Sequence, residues 1–151
     1  MTSLRLTLYT DYSIRVLMHL GSVPKGELVT LRDISTTYDI SINHLMKIVQ
    51  SLRKEEYIRT VRGRNGGIIL AKEPAQIYIG TLVRILEDLN VVDSSEDHHA
   101  LSTLTFSFIF EHAVDHFLSA LNQYTLEDLI NYTAIEALND VEKNSDISFK
   151  L

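Results

Sequence analysis

The sequence predicts a mainly α fold with one small β-hairpin: a winged helix-turn-helix followed by a long C-terminal dimerisation helix. Three observations predict it. Residues 41–52 read as a capped amphipathic helix, a basic glycine-rich hairpin follows at once, and residues 101–124 carry apolar and aromatic side chains at helical spacing.

In chain order, residues 10–20 place Tyr12, Val16 and Leu20, with Leu17 beside them, on one face of a helix, which is a structural role. Asp11 and Arg15 stand at i and i+4 and can pair, and Asp11 lies in or just before the first turn, where a carboxylate complements the helix dipole. Residues 30–38 predict the next helix. Thr30 is its N-cap, Asp33 occupies the capping-box position three residues on, and Leu31 and Ile34 supply the buried face. The connection Asp39-Ile40-Ser41 is short, as a helix-turn-helix requires, with Asp39 where glycine is often found.

Ser41 can accept from the free N–H groups of the following first turn, and Leu45, Ile48, Val49 and Leu52 repeat at i, i+3, i+4 and i+7. That leaves Ile42, Asn43, His44, Met46, Lys47 and Gln50 facing outward, with groups that can bond a base edge or a phosphate. Two β-branched runs follow, residues 57–61 and 68–70, separated by Arg62-Gly63-Arg64-Asn65-Gly66-Gly67. Glycines supply positive φ and close approach, Asn65-Gly66 is a strong turn pair, and two arginines on the tip can reach a phosphate or a narrow minor groove. The candidate DNA-facing set is Ser41, Asn43, His44, Lys47, Arg62, Gly63, Arg64, Asn65 and Gly66.

Beyond the hairpin, residues 93–99 are acidic and polar and read as a loop. Residues 101–124 carry Phe106, Ile109, Phe110, Ala113, Val114, Phe117, Leu118 and Leu121 at helical spacing. So long an aromatic helix needs a partner surface, and in a chain with so small a core a two-fold mate supplies it, with Phe110, Phe117 and Leu121 in the seam. His112 and His116, at i and i+4 on this helix, and His98-His99 in the loop are candidate ligands for a divalent metal. Thr125 caps a last helix with Glu127 and Asp128 in its first turn, and the acidic tail is expected to fray from Asn139. The expected organisation is a DNA-binding domain over 1–80, a sensor loop and dimerisation helices over 81–139, and a frayed tail over 140–151.

Composition supports this reading when split and hides it when summed. The net charge is −6, which by itself discourages a nucleic-acid partner. Residues 1–80, however, hold 11 Lys and Arg against 7 Asp and Glu, while residues 81–151 hold 3 against 13. Basic charge is concentrated where the motif sits. A 45% hydrophobic content suffices for one core, and no stretch reaches the roughly 18 apolar residues of a membrane span or shows the ordered regions of a signal peptide, so a cytoplasmic protein is expected. No cysteine nucleophile, G-x-S-x-G elbow, H-E-x-x-H pair or P-loop is present, so an enzyme is not expected.

The stretches LTLYTDYSIRVLMHL, ISINHLMKIVQSL, VRGRNGGIILAK, IYIGTLVRILEDLNVV and FLSALNQYTLEDLI, in that order, resemble the NsrR branch of the bacterial repressor family that also includes IscR, the Rrf-two type. The resemblance covers nearly the whole chain. It implies a dimeric winged-helix repressor, with nitric oxide defence as the role of that branch. It also implies that the start of the recognition helix and the wing arginine approach DNA, which here are Asn43, His44, Lys47 and Arg62. An acidic residue near Asp11 can lie close to the partner's cluster loop in the family, which makes Asp11 a candidate sensor contact.

One departure is large. NsrR-like proteins carry three cysteines after the LE-x-L-x-x-V segment to hold an iron–sulfur cluster, and this chain has none. Along the family pattern the first falls at Asp93 or Ser94, the second at His98 or His99, and the third near Thr105. Clusters are anchored mainly by thiolates, so no conventional cluster is expected, whereas Asp93, Ser94, His98 and His99 offer ligands suited to a single iron or zinc ion. The sequence thus reads as a homodimeric DNA-binding regulator on a pseudo-palindromic operator, with no required cofactor. A metal- or small-ligand-sensing repressor, or a winged helix that binds protein instead of DNA, are the alternatives.

Overall fold

The computed structural model describes residues 5–87, 89 and 101–147. Among them the chain runs α1 (Leu8–Ser22), α2 (Leu31–Tyr38), α3 (Ile42–Lys54), β1 (Ile58–Val61), β2 (Gly67–Leu70), a 3-10 turn (Pro74–Gln76), α4 (Ile79–Glu87), α5 (Leu101–Leu121) and α6 (Leu126–Ile147).

Side-chain caps set most of the helix starts. Thr7 accepts from the Thr10 N–H, so α1 begins two residues before the start expected at Thr10. Thr30 and Asp33 form a reciprocal capping box on α2, and the hydrogen bonds from Thr30 hold the Asp33 carboxyl below the usual aspartate range. Asp39 ends α2 in the left-handed region at φ 53°, donating its N–H to the Ser35 carbonyl. A short polar side chain tolerates that conformation better than most, which is how Asp39 replaces glycine in the turn. Ser41 then accepts from the His44 N–H at 3.2 Å and starts α3. Thr125 and Asp128 repeat the capping box on α6.

β1 and β2 pair antiparallel in the register Ile58 with Leu70, Arg59 with Ile69, Thr60 with Ile68 and Val61 with Gly67. The hairpin tip differs from the expected turn. Gly66 donates its N–H to the Gly63 carbonyl at 3.0 Å, so Arg64 and Asn65 are the central residues and the positive φ, +119°, belongs to Gly63. Gly66 is needed for a separate reason: a Cβ there would lie 2.1 Å from the Val61 carbonyl oxygen. Val29 exchanges two backbone hydrogen bonds with Ile68, at 2.8 and 3.0 Å, and so ties the wing to the chain ahead of α2.

One core joins α1, α2, α3, the hairpin, α4 and the start of α6 through Leu17, Ile34, Leu45, Ile48, Leu52, Ile58, Leu82 and Leu126. A second, smaller cluster of Ile79, Val83 and Leu118, with half-buried Val114, Leu121 and Leu129, packs α4 on α5. The C-terminal half is stitched back by Leu126 N–H to the Ile77 carbonyl (2.8 Å) and Ile79 N–H to the Tyr124 carbonyl (3.0 Å). The boundary expected after residue 80 therefore falls inside α4. α5 stops at Leu121, short of residue 124. α6 continues through Ile147, past the fraying expected from Asn139, over a segment with no glycine or proline to stop a helix. No helix among the described residues is long and apolar enough to cross a membrane.

Candidate nucleic-acid interface

α3 buries Leu45, Ile48, Val49 and Leu52 and leaves Ile42, Asn43, His44, Met46, Lys47 and Gln50 exposed. At 100° per residue, Asn43, Lys47, Gln50 and Lys54 lie opposite the buried stripe and form the outermost ridge of the helix. Ser41, exposed, is committed to its cap and fixes where that ridge begins. His44 lies to one side, its ring 6.3 Å from that of Tyr12 on α1, so α1 steadies the start of the recognition helix.

Beside the ridge runs a groove of about 590 Å³ lined by Leu31, Asn43, Met46, Lys47, Val49, Gln50, Arg53 and Thr60. Thr60 is the member that sequence reasoning missed. Period-two alternation from buried Ile58 would turn it inward, yet Arg59, Thr60 and Val61 are all exposed, because this two-stranded ribbon is covered on one side only near its base. Arg62, Gly63, Arg64 and Asn65 are exposed at the wing tip, and Gly66 is half-buried behind them.

The ion pairs among the described residues are Asp11 with Arg15, Lys25 with Glu73 and Arg84 with Asp115. None uses Lys47, Arg53, Lys54, Arg59, Arg62 or Arg64. Among the described residues, the cations of α3 and the wing therefore have no acidic partner, in the half of the chain where bases outnumber acids. Lys72 lies 4.4 Å from the centroid of the buried Tyr57 ring, at the foot of the wing. Such a surface offers hydrogen-bonding side chains on one helix, flanked by unpaired positive charge, to a polyanion.

The other sequence-derived candidates are dispersed. Asp11 bonds Arg15 at 3.0 Å on its own helix. Asp93, Ser94, His98 and His99 lie outside the described residues. Phe110 and Phe117 are exposed on α5, but Leu121 is half-buried against Ile79, Val83 and Leu118 of its own chain, because that side of α5 faces α4.

A family model described as an iron-dependent transcriptional regulator, Rrf2, matches residues 6–132. The chain is 44% identical over 132 residues to the HTH-type transcriptional regulator NsrR of Bacillus licheniformis, covering 84% of this chain and 92% of that protein. It is also 44% identical to NsrR of Geobacillus kaustophilus, covering 84% and 90%. Among solved structures it is similar to CymR, the global cysteine regulator of B. subtilis, with a TM-score of 0.65, 27% identity and coverage of 86% and 98%. It shares the fold of T. potens IscR, with a TM-score of 0.67, 24% identity and coverage of 87% and 89%.

The family description names iron, and the donor set here does not fit an iron–sulfur cluster. The sequence has no cysteine, and among the described residues no three histidine or carboxylate side chains gather closely enough to hold a metal ion. With the family model covering residues 6–132 and two NsrR relatives at 44% identity, this chain belongs to the Rrf2 family of transcriptional regulators.

Proposed function

We propose that this chain is a DNA-binding transcriptional regulator of the NsrR type, a cytoplasmic homodimeric repressor that reads a pseudo-palindromic operator without an iron–sulfur cluster. The observation that carries the reading is the α3 ridge of Asn43, Lys47, Gln50 and Lys54 beside a wing tip whose Arg62 and Arg64 have no acidic partner among the described residues. In a two-fold dimer, each α3 enters a major groove and each wing lies on the neighbouring backbone or minor groove. Phe110 and Phe117 lie in the dimer seam. The acidic C-terminal half faces away from the DNA, so the field of the protein orients it on the duplex.

Binding sites selected from random duplex DNA, followed by titration of variants against them, test this directly. Arg62→Ala should weaken operator binding by about 1 to 3 kcal/mol and relax specificity, whereas Lys47→Ala should weaken operator and random DNA alike and lower the salt slope by about 1. Folded variants that both bind as tightly as the parent would show that this surface does not face DNA. The cluster-free reading has its own test. Protein purified without oxygen should be colourless and bind DNA identically with and without nitric oxide; a brown preparation with stoichiometric sulfide would overturn it.

A further inference from the structure

His112 and His116 stand one turn apart on α5, both exposed, on a side of the helix away from Val114 and Leu118, which pack toward α4. Their Nε2 atoms are 3.1 Å apart, and the rings meet edge to face with centroids 4.6 Å apart and planes at 78°. The i, i+4 spacing brings two side chains together on any helix, but it does not dictate that the same nitrogen of each ring lies next to the other. Two neutral imidazoles can share a single hydrogen bond in this pose. The same pose also resembles the two-histidine metal face that helices build at this spacing.

Distance fits the second use as well as the first. A zinc–nitrogen bond is about 2.0 to 2.1 Å, so two nitrogens on one ion are separated by about 2.8 to 3.4 Å for angles between about 90° and 109°. The observed 3.1 Å falls inside that window. Asp115, between the two histidines in sequence, is engaged by Arg84 of α4, and no three-ligand group gathers among the described residues. The chain thus supplies two ligands, and water completes the shell.

The geometry points to a divalent transition-metal site on α5, in which the Nε2 atoms of His112 and His116 chelate one zinc, nickel or copper ion. Imidazole suits these borderline ions and discriminates against magnesium and calcium, which prefer oxygen. The site uses none of the positions that correspond to the family's thiolates, Asp93 or Ser94, His98 or His99 and Thr105, and needs neither a cluster nor bound DNA. A bound ion would tie one turn of α5 at both ends, on the flank of its exposed aromatic face.

Isothermal titration of the full chain with zinc chloride alone is the test, with His112→Asn, His116→Asn and a His98→Ala, His99→Ala double variant alongside. The parent and the double variant should each bind one zinc ion per chain, and either asparagine variant should lose more than about 100-fold in affinity, beyond what loss of a supporting group costs. Zinc should also slow amide exchange in the turn from residue 112 to 116 in the parent only, which a merely local loss of helix would not mimic. Both histidines are exposed, and unchanged far-ultraviolet dichroism confirms that the variants fold. No zinc binding by the parent, binding that survives either asparagine change, or loss of binding in the double variant would each overturn the assignment.

Discussion

α3 and α5 are both helices rich in apolar residues, and their outward faces are opposite in kind. In α3, Leu45 is fully buried and Ile48 and Leu52 are 1% exposed, so the chain covers that stripe itself and the outer face is Asn43, Lys47, Gln50 and Lys54. In α5 the chain covers only the side bearing Leu118, while Phe106 and Phe108 are 65% and 71% exposed and Ile109, Phe110 and Phe117 are exposed with them. Phe106 and Phe110 stack on each other, centroids 6.1 Å apart. A helix whose apolar side is satisfied internally is free to present polar groups to a polyanion. One that keeps Phe106, Phe110 and Phe117 on one side in water marks a surface for another apolar partner.

The strongest way to break that contrast is a charge in the aromatic face. Phe117→Asp should convert a dimer to monomer in sedimentation and lower operator affinity by about 10²-fold or more, because two half-sites are no longer linked. It should cost the unfolding of the single chain less than truncation of a fully buried residue does, since Phe117 keeps 40% of its surface exposed there. A variant that remains dimeric would place the interface elsewhere. Leu45→Ala probes the opposite case. Truncating a fully buried leucine should cost about 2 to 5 kcal/mol in denaturant unfolding, and a loss below about 1 kcal/mol would show that α3 does not anchor the core.

The smallest effect concerns the link between the two regions. Glu87, at the end of α4, accepts from the Thr7 N–H at 2.8 Å and the Thr7 hydroxyl at 3.0 Å, so it holds the start of α1, which packs on both α3 and α4. Partial burial pushes its carboxyl up, but hydrogen bonds from Thr10 and Thr7 outweigh this and leave it below the usual glutamate value. A depressed carboxyl contributes stability above its unfolded value, 4.5, and loses it as pH falls through the lower folded value. Thermal unfolding should therefore show the parent more stable than Glu87→Gln at neutral pH, with the gap closing on acidification. A gap that widened in acid would reverse the sign of the linkage.

Much of the DNA-facing region was legible because its determinants are local. The Thr30–Asp33 box, the Ser41 cap and the buried quartet of α3 each depend on residues within seven positions, and all are found as the pattern predicts. The wing was legible in outline but not at its tip. Asn65-Gly66 carries the stronger turn signature, yet the close approach of Gly66 to the Val61 carbonyl and the positive φ of Gly63 shift the turn back by a residue. Glu56, at φ 60°, reverses the chain between α3 and β1 with no signature that marks it in advance.

By itself the sequence determined where helices begin, which face of α3 is apolar, and that basic charge belongs to the first 80 residues, because caps, periodicity and composition act over a few positions. Only the tertiary structure decided that Leu121 turns into its own chain while Phe110 and Phe117 remain outside, and that Val29 pins the wing. α5 is apolar around most of its circumference, so no period in the sequence selects its inner side. Packing against Ile79 and Val83 does.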